Sequence, residues 1–369
     1  MDTDSDTVSF SDFEDDLEQV PDWPFDSCTL ILSDGRSLDL ADSISRSTHN
    51  GQSVYVCRGR LGWDGIVVKW TWSQTRMHDL QVVESAANFA RECGENWVLD
   101  HLPNIVHYEE RVTGTGARGE PRIMHLLVQE ELYSITELTT AGELGEAFLG
   151  LFKCYRWLYE RCRIMHRNIN FNNLMYRRID DRVYGVLAGF DLAVVLNEPS
   201  YKPHPENTLA FVACDLVEPS PLFPVDQYLY RFDLESLLYA LVLVACHYEH
   251  GMLIPPEKQP FKCWHQVGST DRDMYLEKIH FLTGGLGRWK PTPQFSSLFW
   301  LVGHLRELFK HGISARDKFR YRKEVETGVV SDDGFDGDTL GGHVTFETFE
   351  AVLRNKLPPS TPGRASAEP

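Results

Sequence analysis

The sequence predicts an α+β chain in two parts, a strand-rich first third and a mainly helical remainder, and three observations carry that expectation. Between residues 28 and 128, apolar residues come in short runs separated by turn residues, the pattern of strands and hairpins. After residue 132 they recur at spacings of three and four, the helical period. The third observation is the run 237–246, ten consecutive apolar residues. A membrane span needs about 20, so this run predicts a helix buried in a domain core.

Taken in order, CTLIL (28–32) and SLDL (37–40) flank an Asp34-Gly35 turn, a hairpin signature. A second hairpin is expected from an arm over 43–47, an Asn50-Gly51 turn and the strand SVYVCRG (53–59). IVVKWTW (66–72) follows as an apolar strand interrupted by one lysine. From 79 to 93, Val83, Ala86, Phe89 and Ala90 share one helical face, and IMHLLV (123–128) reads as another buried strand. Leu144, Phe148, Leu151, Phe152, Tyr155, Leu158 and Tyr159 mark a long amphipathic helix. A loop–strand–loop region spans 163–193, residues 233–248 are apolar nearly all round, and helical patterns return at 297–310 and 345–355. The expected division is a strand-rich part at 27–132 and a helical part at 133–356, between tails at 1–26 and 357–369.

Composition sets limits on function. Across 369 residues, 42% are hydrophobic and 24% charged, which excludes wholesale disorder. Lys plus Arg is 36 against 54 for Asp plus Glu, a net charge of −18. That sign argues against nucleic acid or an anionic membrane as the main partner. Nine of the acids fall in residues 1–22, which carry no base, so 1–26 reads as a solvated, disordered tail. Its aromatics (Phe10, Phe13, Trp23, Phe25) leave a second reading open, a segment that docks on a basic groove in cis or on a partner. The eight cysteines (28, 57, 93, 154, 162, 214, 246, 263) show no paired spacing and read as reduced, buried thiols. With no signal-peptide pattern, the expectation is an intracellular chain, cytoplasmic or nuclear; the basic stretch KFRYRK (318–323) is too common to decide between them.

Chemistry is concentrated in residues 164–193, IMHRNINFNNLMYRRIDDRVYGVLAGFDLA. His166-Arg167-Asn168 is followed five positions later by Asn173. Two short strands around Asp180-Asp181 then form a hairpin that brings Asn173 and Asp191 to one end of a small sheet. Two oxygen ligands there suit a hard cation such as Mg²⁺. Lys69, in an apolar strand, is costly to bury unless paired. Alone it could snorkel to the surface, but Glu84, fifteen positions later on the expected helix, offers a partner. Lysine, carboxylate, amide and metal-binding carboxylate are what phosphoryl transfer from ATP requires, because that reaction needs charge neutralisation and positioning above all.

These motifs resemble the protein-kinase superfamily, and within it the fungal-type protein kinase domain family. That family's HRDISxNNIM, DxDLA, GTxxFMAxxLL and YRHDLES correspond to HRNINFNNLM, GFDLA, NTLAFVACDLV and YRFDLES here. KWTW followed by Arg76 and Glu84 fits its first part, TLGGHVTFETFEAVL its last, and the likeness runs over roughly residues 40–355. The resemblance implies a two-lobed protein-kinase-like fold with a β-rich N-lobe and a mainly helical C-lobe. It implies that Lys69 touches the α and β phosphates of ATP and Glu84 orients it, with Glu92 as a second candidate. Asn173 and Asp191 would hold Mg²⁺, and Asp233 would brace the backbone of the His166–Arg167 loop. Residues 127–131, with Glu130 and Glu131, would lie near the adenine. Arg167 would be able to pair with a phosphate on the segment 191–216, which holds Ser200, Tyr201 and Thr208.

Two departures bear on activity. Position 168 is Asn where the family has its catalytic Asp, and an amide accepts a hydrogen bond without taking a proton at neutral pH. A positioned general base is worth typically about 10²–10⁴-fold, roughly 3–5 kcal/mol of barrier. There is also no GxGxxG; the equivalent hairpin has the single glycine Gly51, so backbone approach to the phosphates is reduced. The expectation is a kinase-like domain with impaired phosphoryl transfer to protein Ser/Thr, a pseudokinase-like role in partner binding, and ATP·Mg²⁺ binding retained. The alternative is an active serine/threonine kinase of low turnover. A calcium-loop pattern at 336–347 (Asp336, Asp338, Gly341, Glu347) has Leu340 at a ligand position and reads as an ordinary turn.

Overall fold

A computed structural model describes residues 29–49, 52–62, 64–72, 77–115, 121–196, 209–217, 227–265, 269–285 and 289–358. The tail 1–26, the Asn50-Gly51 turn, Arg76, the hydroxyls Ser200, Tyr201 and Thr208, and most of the tail 357–369 lie outside the described residues. The chain divides into two compact units, Met1–Gln74 with Ile105–Glu131, and Thr75–Asn104 with Leu132–Pro369. Residues 75–104, expected in the strand-rich part, therefore belong to the second unit.

The first unit is one antiparallel sheet of six strands: β1 (Thr29–Ile31), β2 (Ser37–His49), β3 (Gln52–Leu61), β4 (Asp64–Trp72), β5 (Ile105–Thr115) and β6 (Pro121–Glu130), in the order β1-β2-β3-β4-β6-β5. Gly35 takes φ +85° in the Asp34-Gly35 turn and donates to the Leu32 carbonyl at 3.0 Å. The two expected hairpins share one strand, because β2 continues through a register shift between Leu40 and Ile44. Alternation puts Ile66, Val68 and Trp70 of β4 beside Met124, Leu126 and Val128 of β6 in a dry core, where Tyr55 stacks on Trp70 at 5.7 Å. Lys69 points to the other face, opposite Leu127, and is half-buried rather than enclosed in an apolar strand. No apolar pattern announces β5. Its buried Glu109 is satisfied by the Ser33 amide at 2.7 Å and by Arg111.

The second unit contains α1 (His78–Glu92), β7 (Tyr133–Ser134), α2 (Ala141–Cys162), β8 (Ile164–Met165), the hairpin β9 (Leu174–Ile179) and β10 (Arg182–Leu187), and β11 (Val194–Val195). After them come α3 (Cys214–Val217), α4 (Tyr230–His247), α5 (Asp271–Thr283), α6 (Phe299–Thr327) and α7 (Phe346–Lys356). Thr140 caps α2 by accepting the Glu143 amide at 3.2 Å, and Arg163 ends it in the left-handed conformation. All 18 residues of α4 are buried, charged ones included, as the apolar run predicts. Asp180 and Asp181 take φ +47° and +62°, the type I′ geometry that a two-residue hairpin favours. Helix α6 runs well past its expected end because Arg316 reaches Asp215 at 2.7 Å and Arg320 reaches Asp332 at 2.7 Å. These ties are charged, so no apolar period marks them.

Among the described residues no helix is long and apolar enough to cross a membrane. Cys57, Cys154, Cys214 and Cys246 are buried thiols as expected, but Cys93 is exposed and Cys162 and Cys263 are half-buried.

Close packing of β10 on α2 depends on Gly185, where a Cβ would collide with the Ala147 carbonyl. Gly185→Ala should lower unfolding stability by about 2 kcal/mol or more in urea titration. A loss below about 0.5 kcal/mol would mean that α2 gives way without strain.

Candidate functional site

The loop between β8 and β9 is held from three sides within the second unit. Strand β8 pairs antiparallel with β11, Ile164 opposite Val195 and Met165 opposite Val194. His166 is fully buried. Its Nδ1 accepts the Asn168 amide at 3.2 Å, so Nε2 carries the proton and donates to the Ala188 carbonyl at 2.9 Å. Burial lowers the pKa of this imidazole, which fits the neutral form that both bonds require. Phe190 packs its ring edge to face with His166 at 4.8 Å.

Arg167 has φ +65°, a costly conformation for a side-chain-bearing residue that its surroundings must enforce. Its amide donates to both oxygens of Asp233 at 3.1 and 3.2 Å, and the Tyr228 hydroxyl donates to the same carboxylate at 2.8 Å. Asp233 is completely buried in α4, and burial raises its pKa against the opposing pull of His166 and the Arg167 amide. The Arg167 guanidinium lies over the Tyr228 ring at 5.3 Å.

Asn168 is buried in an amide network. Its Oδ1 accepts from Asn170 Nδ2 at 2.7 Å, and its carbonyl accepts from Asn173 Nδ2 at 2.7 Å. Asn170 also turns the chain back, its carbonyl accepting the Asn173 and Leu174 amides at 3.0 Å each. The Asn173 carbonyl takes the Ala188 amide at 2.9 Å, which closes the end of the β9–β10 hairpin beside Gly189. With its Nδ2 committed to Asn168, Asn173 has Oδ1 left to act as a ligand. That oxygen lies against Gly189 (φ +72°), where a Cβ would collide with it. Asp191 follows two residues later and is half-buried. An amide oxygen and a carboxylate are hard donors that fit Mg²⁺, which commonly completes its shell with water and phosphate oxygens.

The segment after Gly189 is positioned by α1. Asp79 accepts the Phe190 amide at 2.9 Å and the His78 ring contacts the Ala193 carbonyl at 2.8 Å. Neither residue is marked by the sequence motifs, because an acid in a first helical turn looks like an ordinary dipole partner. Glu84 is half-buried on the same helix, whereas Glu92 is exposed in its last turn. In the first unit, Glu130 lies opposite Ile66 in the β4–β6 pairing. The Glu131 amide donates to Gly65 at 2.9 Å and its carboxylate pairs with Arg58 at 3.4 Å. Gly51 lies outside the described residues. Two further groups, one half-buried and one buried, escape sequence reading. Asp215 receives Arg231 and Arg316 at 2.7 Å each; burial works to raise its carboxyl, but the two guanidiniums outweigh it and hold it below the usual range. Lys278 is fully buried beneath α3. At 336–347, Thr339 donates to Asp336 and Leu340 is buried, so the segment is a turn, and the described residues contain no group of three or more His, Cys, Asp or Glu placed to hold a metal ion.

An antiparallel sheet unit and a helical unit with this loop define an α+β, protein-kinase-like chain. The family model described as fungal protein kinase matches residues 41–245, more than half of the sequence, and the chain belongs to that family. Among solved structures, vaccinia related kinase 3 is similar at 16% identity over 89% of this chain and 89% of that chain, with a TM-score of 0.47. The kinase of Cydia pomonella granulovirus is similar at 12% identity over 73% of this chain and 86% of that chain, with a TM-score of 0.44. No curated protein matches.

Asp233→Asn puts an amide where two donors converge. It should cost about 1–3 kcal/mol at pH 7 in urea unfolding. Because the folded carboxyl titrates above its ordinary 3.8, the wild type gains from this group as pH falls from the folded value toward 3.8. The variant lacks that gain, so the gap should widen on acidification; a gap that closes instead would show that the brace depends on the carboxylate's charge.

Proposed function

We propose that this chain is a protein-kinase-like domain whose phosphoryl transfer to protein Ser/Thr is impaired, and that it acts by binding a protein partner. The observation that carries the reading is Asn168. It stands where the family has a carboxylate, and its oxygen already accepts Asn170 Nδ2 at 2.7 Å. An amide so placed orients a hydroxyl but takes no proton from it. His166 does not substitute, since both ring nitrogens are committed to the backbone. Asp233 does not substitute either, being enclosed and bound to Arg167 and Tyr228.

Nucleotide binding is part of the same proposal. Lys69 would meet the phosphates with Glu84 as its partner, Glu130 and Glu131 would border the base, and Asn173 and Asp191 would hold Mg²⁺. When bound, the cation would neutralise phosphate charge. The chain's own residues fix the ligand oxygens: Asn168 orients Asn173, and Asp79 orients the segment that carries Asp191. That oxygen geometry also favours a second reading, an active kinase of low turnover, because electrostatic positioning supplies much of this catalysis.

Titration calorimetry with ATP, with and without Mg²⁺, separates the readings. The expected result is Mg²⁺-dependent binding that Asp191→Ala abolishes, no measurable phosphoryl transfer by the wild type, and a gain of about 10²-fold or more in Asn168→Asp. Wild-type turnover at ordinary kinase rates would overturn the impaired reading. No binding up to millimolar ATP would remove nucleotide from the proposal and leave a kinase-shaped binding module.

A further inference from the structure

The residues 209–217 hang on a buried lysine that no kinase motif identified above uses. Lys278 of α5 is fully buried, and its Nζ donates to the carbonyls of Leu209 at 2.7 Å and Val212 at 2.6 Å. The third direction of the ammonium is taken by aromatic faces, Tyr239 at 4.6 Å and Trp264 at 5.7 Å. A second tie runs parallel. Glu235 of α4 accepts the Cys214 amide at 2.7 Å and the Tyr239 hydroxyl at 2.6 Å, and the Cys214 thiol lies 3.2 Å from that hydroxyl. One buried cation and one buried carboxylate thus grip a single stretch of backbone, with Tyr239 between them.

We propose that Lys278 is a proton-dependent latch, a positioning residue that with Glu235 fixes the backbone of residues 209–217 in one conformation. The chemistry follows from counting protons. An ammonium has three N–H bonds for two carbonyls and an aromatic face, and each site attracts positive charge. A neutral amine has two, and its lone pair must face a carbonyl or the π cloud. Deprotonation therefore loosens the grip although the side chain stays in place.

Burial lowers the Lys278 pKa to about 8, against the pull of Cys214, Glu235 and Cys263, so the change falls just above neutral pH. The groups that face it are Cys214 on α3, Glu235 and Tyr239 on α4, and Cys263 in the turn Lys262–Trp264, while Asp215 on α3 acts on Glu235 and pairs with Arg231 and Arg316. Burial raises the pKa of Cys214, Tyr239 and Glu235. The cysteine and tyrosine therefore stay neutral through the pH range in which the lysine titrates. The latch opposes global stability. Between about pH 8 and the ordinary 10.5 the unfolded chain binds more protons at this lysine than the folded one, so deprotonation relieves a cost of folding. A lysine kept at such a cost is one whose local contacts matter.

The inference is independent of whether the domain transfers phosphate. Its test is amide hydrogen exchange of the full chain, corrected for intrinsic rates, at pH 7 and pH 9.5. In the wild type, protection of the Val212, Cys214, Leu216 and Val217 amides should fall at least tenfold more than protection within α4. Lys278→Met should show the low protection at both pH values while its urea midpoint is equal to or above the wild type's. As pH rises from 8, wild-type stability should gain on the variant's. Equal protection of 209–217 in wild type and variant, or a loss spread evenly over α4, would overturn the latch. If the variant does not fold, the wild-type pH series alone decides, and unchanged relative protection at pH 9.5 rejects the proposal.

Discussion

A fully buried carboxylate in a helix with no exposed residue is an expensive object, and the loop between β8 and β9 is organised around one. Asp233 sits in α4, a helix with no exposed residue, and carries the Arg167 amide and the Tyr228 hydroxyl. An uncompensated charge there would cost several kcal/mol; with donors arranged around it, the carboxyl group becomes a fixed point for the chain. Arg167 can be held in its left-handed conformation because the carboxylate takes its N–H, and that conformation sets the direction in which Asn168 leaves. His166 ties the start of the loop to the Ala188 carbonyl and Asn173 ties its end to the Ala188 amide, so the strand end that leads to Asp191 is registered against the same loop.

From that anchor the site is built almost wholly of amides and backbone. Asn168, Asn170 and Asn173 satisfy one another, and the only side-chain oxygen of the three turned to the Gly189 edge is that of Asn173. Holding a hard cation and taking a proton are separate tasks that demand different groups. Amide oxygens serve the first task and fail the second. On the proposed reading the loop keeps its bonds under an amide, and only the proton-taking group is exchanged.

Much of this was legible in the sequence, and the parts that were not share a cause. Apolar periodicity marked β4, β6, α2 and α4, and the Asp180-Asp181 turn marked the β9–β10 hairpin, at whose end the Asn173 carbonyl meets the Ala188 amide. Strand β5 was illegible because its buried face includes Glu109, satisfied by Arg111 on the same strand and by the Ser33 amide 76 residues away. The second half of α6 was illegible because Arg316 and Arg320 fasten it. Asp79 and Lys278 look like ordinary helix-surface residues until the fold shows which carbonyl or amide each meets. Hydrophobic pattern reads the core; it cannot read a polar group whose partner lies tens of residues away. Lys69 shows what the run leaves out: β4 is a core strand as its apolar residues imply, but the pleat puts the lysine on the half-buried face.

The burial of residue 168 connects the missing base to the economy of the fold. The residue is 8% exposed, in a loop already braced by one enclosed carboxylate, that of Asp233 in α4. An ionised aspartate at 168 would be a second charge drawn out of water close to the first, tolerable where a bound cation and a substrate hydroxyl share its field and costly without them. The asparagine is neutral, its oxygen is satisfied by Asn170, and its carbonyl still orients Asn173. Exchanging acid for amide thus removes a desolvation cost while leaving every backbone-directed bond of the loop in place. On the proposed reading, a chain that abstracts no proton has a physical reason to make that exchange, and none to abandon the brace that holds the loop.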